Sequence, residues 1–265
     1  MSGAKAALKA IGDSVKQQKW DDAIQKATEF LEREPKNYQA TIFLAFALDK
    51  KNRVDDSERA YKSASLLRPK DSQAWQGLIK LYEKQDRKRL GAYQQAAISL
   101  AELYRDSDDM YKCQDVIDKF IDFARSQGDT SQYIEALSVI LPGSPIYPAL
   151  EGRVPHPAKT YETMAQIIEA DEKKRINTLI GERRTRIGAR LNEVTLEVKR
   201  EVMAQSKLEF VYQQLINWTN DDELRRKYEE KLLQYCYDRL LVAPAGPEEG
   251  GDGPSTPSSN SALDM

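Results

Sequence analysis

The chain carries one histidine and two cysteines in 265 residues, and no run that approaches the roughly 20 consecutive apolar residues a membrane-crossing helix needs. Each scarcity removes a class of function. His156 stands between Pro155 and Pro157, and nothing near it in sequence supplies a nucleophile–base pair or an imidazole metal site. Cys113 and Cys236 lie far apart inside helical patterns, which supports no disulfide framework and fits a reducing compartment. Neither GxxxxGK[ST] nor GxGxxG nor a CxxC pair occurs. No catalysis, no cofactor and no metal are therefore expected. The net charge of −2, from 40 Lys and Arg against 42 Asp and Glu, argues against a protein that coats nucleic acid over its whole surface. The opening residues, MSGAKAALKAIGDSVKQQ, are amphipathic rather than continuously apolar, so no secretory signal is expected.

Proline is also scarce before residue 142, and the two that occur there are informative. WDDAIQKATEFLEREPKN (20–37) and VDDSERAYKSASLLRPKD (54–71) share a hydrophobic residue before two aspartates, a small residue after them, and a terminal proline. Pro35 and Pro69 are 34 residues apart. Each falls just past a helical pattern, where a fixed φ and a missing N–H stop the helix at little cost. Ile42, Leu44, Ala45 and Leu48 form one apolar face, and Ala60, Tyr61, Ala64 and Leu67 the next. A third unit opens at DSQAWQGLIKLYEKQDR, with Trp75, Leu78, Ile79 and Tyr82 on one side. A helix–turn–helix period of 34 residues is the tetratricopeptide (TPR) signature. A single pair cannot bury its apolar face alone, so the pairs stack. Small residues such as Ala23 and Ser57 let paired helices approach, and Asp21 and Asp55 are expected to accept the free backbone donors of their helix starts.

The fold class expected is all-α: a TPR solenoid followed by long irregular helices and a disordered tail. Residues 1–106 form the repeats, and 107–141 are degenerate repeat helices. Residues 142–158 are a proline-rich connection that holds, with Leu141, LPGSPIYPALEGRVPHP; its five prolines predict a rigid, extended link. Residues 159–243 form a long-helix segment, where Ile187, Leu191, Val194, Val198 and Val202 recur at steps of three or four. Residues 244–265 are rich in Pro, Gly and Ser and are expected to be disordered.

Between Glu172 and Arg200 nine Lys and Arg stand against four acids, with Arg183, Arg184, Arg186 and Arg190 clustered. That cluster is a possible contact for phosphate or an acidic partner; against it stands the solvated face of a long helix. Aromatic residues for base stacking are missing from this stretch, which weakens a single-stranded RNA reading. At the positions where some TPR proteins clamp the acidic tail of a chaperone stand Leu8, Gly12, Phe43, Gln73 and Gly77, none of which grips a carboxylate through its side chain.

The degenerate repeat start (KQQKWDDAIQKATEFLEREPKNYQATIFLAFAL), the LPGSP segment, the helix ERRTRIGARLNEVTLEVKREVMAQSKLE and YQQLINWTNDDELRRKYEEKLLQYCYDRLL together resemble the TPR scaffold subunits of the Ski (superkiller) complex in their fungal form. The likeness covers roughly Ala4 to Pro244, and its specificity lies in the stretch from Leu141 to Leu241, outside the clean repeats. It implies a cytoplasmic, non-catalytic scaffold. It also implies partners: a DExH-box RNA helicase subunit, a WD40 propeller subunit, and the cytoplasmic RNA exosome for 3′-to-5′ mRNA decay. Family members are several times longer, and this chain leaves their pattern after about Ala243. The alternatives are a generic TPR protein–protein adaptor, or a helical RNA-binding protein using the Arg183–Arg190 patch. The chain alone is expected to be monomeric, without membrane contact.

Overall fold

The computed structural model describes residues 2–85, 89–187 and 191–242. Among these, every regular element is a helix, as expected. Five helices make up the region of clean repeats: α1 (Ser2–Lys16), α2 (Trp20–Arg33), α3 (Tyr38–Lys50), α4 (Val54–Leu67) and α5 (Ser72–Tyr82). The stack continues through α6 (Leu90–Asp106), α7 (Met110–Ser126) and α8 (Thr130–Leu137), then a 3₁₀ turn at Ser138–Ile140 and the short α9 (Tyr147–Leu150). Four helices follow: α10 (Pro157–Ile187), α11 (Leu191–Ala204), α12 (Leu208–Trp218) and α13 (Asp222–Val242).

The 34-residue period is visible atom by atom. Pro35 and Pro69 each follow a helix C-cap, Glu34 and Arg68. Two residues later stand Asn37 and Asp71, whose side chains accept from the backbone N–H of Ala40 and Gln73, at 3.1 and 2.9 Å. These residues cap α3 and α5. Asp21 and Asp55 do not cap their helices, contrary to the sequence expectation: α2 and α4 have no side-chain cap. Sitting inside the first turn, these carboxylates turn outward to cations instead, Asp21 to Lys51 at 3.0 Å and Asp55 to Arg89. They still favour the positive end of the helix dipole.

The turn within each pair has its own signature. Gln18 and Asn52, again 34 apart, adopt φ of 58° and 59°, and Asp108 at 60° repeats them between α6 and α7. In all three the amide after the left-handed residue reaches back six positions inclusively, as Lys19 N–H to Ser14 C=O, Arg53 to Leu48 and Asp109 to Tyr104. This is the Schellman arrangement, which satisfies carbonyls left free at the helix end. Gly128, with φ of 68°, occupies the same place before α8. The turn geometry of the clean repeats thus recurs beyond them, although Asp108 lies 56 residues after Asn52 instead of 34.

Burial follows the expected faces. Ala23 and Ser57 are fully buried, and the Ser57 hydroxyl donates to the Ala45 carbonyl at 2.8 Å. The largest core runs from α3 to α9 and contains Tyr61, Leu78, Tyr82, Tyr93, Ile117 and Phe120; Trp75 packs against it half-buried. A second core joins α8, α10, α12 and α13. Val198 and Val202, fully buried, pack with Val194 against Ile176, Leu179 and Ile180 of α10. Ile187 and Leu191, at the start of that expected stripe, have side chains outside the described residues.

The proline-rich stretch is compact rather than extended. Successive turn bonds run from Leu141 to Val154, and Ile146 and Leu150 are fully buried. Val139 and Ile140 enter the first core while Leu137 and Leu141 enter the second; Ile121 of α7 touches both. Apolar residues among the prolines pull the segment inward, and proline's missing N–H is tolerated because turns leave many amides free anyway.

Candidate interaction surfaces

Of the five positions compared with a carboxylate clamp, Leu8, Gly12, Phe43 and Gly77 are used for packing, and Gln73 is exposed. A Cβ on Gly12 would stand 3.3 Å from the Phe43 ring, so α1 and α3 already touch there. A Cβ on Gly77 would fall 2.2 Å from the buried Tyr61 ring, which makes glycine obligatory for the approach of α4 and α5. Leu8 and Phe43 pack against the core of α1–α3. These sites hold the solenoid together and offer no cation to a ligand.

Electrostatic features concentrate on α10. Glu162, Glu169 and Glu172 face the last two helices. Tyr212 donates to Glu169 at 2.8 Å, Tyr228 to Glu162 at 3.4 Å and Tyr235 to Glu172 at 3.4 Å. Lys231 closes a two-oxygen contact with Glu169 at 2.7 and 2.9 Å. Burial raises the Glu172 carboxyl above its ordinary range, against the lowering effect of hydrogen bonds from Ser206 and Tyr235. Burial likewise pushes the Tyr228 and Tyr235 hydroxyls up to about 12. This row attaches α12 and α13 to α10, with its polar groups turned toward one another.

Beside it a groove of about 470 Å³ opens between α10, α11 and α13, lined by Lys173, Ile176, Asn177, Lys199, Lys231 and Gln234 among others. Of the four arginines singled out in the sequence, Arg183 is engaged within the fold: it pairs with Glu201 and lies 3.7 Å from Glu197, both on α11. The side chains of Arg184 and Arg186, and Arg190 as a whole, lie outside the described residues. Pairing across the α10–α11 hairpin was not readable from the sequence, because the acids that neutralise Arg183 lie 14 and 18 positions further on.

His156 is exposed, and its Nδ1 accepts from the Ala158 amide at 3.3 Å at the start of α10. Among the described residues no group of three or more His, Cys, Asp and Glu is placed to hold a metal ion. No described helix is long and apolar enough to cross a membrane. Cys113 is buried and Cys236 half-buried, both as free thiols.

Two family profiles described as tetratricopeptide repeat match the chain, over residues 14–82 and 142–229. The second extends into the stretch that the sequence reading set outside the clean repeats. Superkiller protein 3 of Schizosaccharomyces pombe is 32% identical over 240 residues, 90% of this chain and 17% of that protein. Superkiller complex protein 3 of Homo sapiens is 33% identical over 123 residues, 44% of this chain and 8% of that protein. Superkiller protein 3 of Saccharomyces cerevisiae is 23% identical over 268 residues, covering 92% of this chain and 18% of its own length. The chain thus spans less than a fifth of the relatives it matches.

Proposed function

We infer, for a chain that belongs to the tetratricopeptide-repeat proteins of the superkiller protein 3 family, a non-catalytic scaffold role in a cytoplasmic Ski complex. The observation that carries this reading is the match over 90% of the chain, which includes the turn-rich joint and α10–α13 as well as the generic repeats. Repeat stacks of this kind present long, regular surfaces to other proteins and need no reactive side chain. The partners proposed are a DExH-box RNA helicase subunit and a WD40 propeller subunit, with delivery of RNA to the cytoplasmic exosome for 3′-to-5′ decay. The proposed units are repeats over 1–106, degenerate repeat helices over 107–141, the proline-rich joint over 142–158, the long-helix segment over 159–243 and a tail over 244–265.

Within that role, Arg184, Arg186 and Arg190 are proposed to meet an acidic protein surface, while Arg183 pairs with Glu201 of α11. Internal pairing of Arg183 and the lack of aromatics on this stretch favour an acidic partner over RNA. Affinity purification of the tagged chain from cells tests the scaffold role. Recovery of the helicase and propeller subunits is expected, and their absence from an intact preparation would overturn it. Charge reversal at the three arginines should weaken that recovery without lowering the melting temperature. RNA binding that weakens steeply between low and physiological salt would favour the nucleic-acid reading instead.

A further inference from the structure

The groove between α10, α11 and α13 has an aromatic floor, where the Tyr212 and Tyr235 rings meet edge to face at 6.2 Å between centres. Its cations are used unequally. Lys231 is taken by Glu169. Among the described residues, Lys173 on α10 and Lys199 on α11 have no carboxylate partner. The acid across the groove, Asp238 on α13, accepts from Gln234 at 2.8 Å. The edge built by α10 and α11 therefore offers two lysines without a counter-charge. After Arg239 the chain carries no Lys or Arg, while Glu248, Glu249 and Asp252 follow directly on Pro247. These acids lie beyond the described residues.

We propose that the acidic segment 247–252 turns back into this groove as an intramolecular cover. Its carboxylates meet Lys173 and Lys199, and Pro247 lies on the tyrosine floor. The chain is long enough. Glu169 meets Lys231 and Glu172 meets Tyr235, so α10 and α13 run side by side in the same direction. Lys173 therefore stands level with Tyr235, which lies about 10 Å back along α13 from its last residue, Val242. The stretch from Val242 to Glu248 reaches about 20 Å when extended. Pro244 and Gly246, within it, suit a reversal. Proline-containing chain needs no helix to pack on aromatic rings, because it docks extended. Individual exposed ion pairs are weak, but a short tether holds the acids at about millimolar effective concentration. A site of only millimolar affinity is then about half occupied. A free acidic ligand must exceed that concentration, or bind more tightly, to open the groove.

Lysine acetylation of the full chain, read by mass spectrometry, tests the contact. Lys173 and Lys199 should label about two-fold more slowly in the parent than in Glu248→Gln/Glu249→Gln/Asp252→Asn, as half-occupancy requires. Those substitutions remove no contact of the described residues. Lys36 and Lys70, exposed in the front repeats, should label equally in both proteins. The protection should vanish in about 0.5 M salt and stay constant between about 1 and about 50 micromolar protein. Identical rates in parent and variant would overturn the proposal. Protection that grows with protein concentration would also overturn it, by assigning the groove to a second copy. Carbodiimide coupling gives an independent readout. It should join Lys173 or Lys199 to Glu248, Glu249 or Asp252 within one chain, and absence of these links from the monomer would overturn the cover.

Discussion

Two tyrosine–glutamate pairs, one in each half of the molecule, sit in opposite settings. In the front half Tyr82 donates to Glu58 at 2.9 Å, and Glu58 is also met by Lys62 at 2.7 Å and by Arg89. In the back half Tyr235 donates to Glu172, but that carboxylate is buried and its ordinary acidity is suppressed by desolvation. A tyrosine–glutamate contact is therefore neither stabilising nor destabilising by type. Its sign depends on whether a cation shares the carboxylate and on how much water has been removed from it.

The largest effect should come from the apolar core of the front half. Tyr93 stacks against Phe120 and Phe123, each at 5.2 Å between ring centres, and is almost fully buried. Tyr93→Ala should cost about 3–5 kcal/mol in denaturant unfolding, through lost burial and the cavity left behind. Loss of less than about 1 kcal/mol would show that the front core is not packed as described. Gly77→Ala comes next. With the Tyr61 ring fixed in the core, the added methyl should destabilise by about 1–3 kcal/mol, and Tyr61→Ala should partly rescue it in a double-mutant cycle.

The sharpest test of the comparison is a pair of isosteric changes with opposite signs. Glu58→Gln leaves Lys62 without this counter-charge and Arg89 with Asp55 alone, and should lower stability by about 1–2 kcal/mol. Glu172→Gln should raise it at neutral pH. The Glu172 carboxyl has a folded pKa above its unfolded value, so its contribution to stability is full below the unfolded pKa and is lost as pH rises through the folded one. The advantage of the glutamine variant should accordingly shrink as pH falls, and melting curves across a pH series check both signs. Equal signs at neutral pH would erase the distinction between the two settings. At high pH the halves should behave alike. Tyr82, Tyr228 and Tyr235 hold their protons to about 12, against an ordinary value of 10.0, so stability should fall as pH rises between those values. The smallest expected effect is a gain: Gln18→Gly relieves a left-handed residue that carries a side chain and should stabilise by about 0.5–1 kcal/mol.

Much of this architecture is legible in the sequence because its cause is periodic. Ala23, Ser57, Tyr61 and Leu78 fall at helical spacing and are buried, and Pro35 and Pro69 fall where helices stop. The missed features have non-periodic causes. Glutamine at position 18 gives no hint of a left-handed turn, since only comparison with Asn52 and Asp108 in space shows the shared hydrogen bonds. Side-chain caps stand at Asn37 of α3 and Asp71 of α5 and not at α2 or α4, because a side chain just before the first turn reaches its free N–H groups, whereas Asp21 and Asp55, inside that turn, point outward. The joint around residues 141–154 read as extended because prolines dominate it; Ile146 and Leu150, four apart, carried the contrary signal. The exposed Leu233, Leu240 and Leu241 of α13 are masked by its core-facing Leu224, Tyr228 and Leu232: a helix apolar on two sides shows no clear stripe. Arg183 depends on a fold-back between α10 and α11 that no local pattern encodes.

The joint where Ile121 touches both cores also has a mechanical meaning. Val139 and Ile140 lock into one body and Leu137 and Leu141 into the other, within five consecutive residues. A tensile load drawn along the chain would reach this segment as shear across a peg seated in two sockets, instead of peeling one helix from the next. The stack should therefore yield at its helix-pair seams before it parts at this joint.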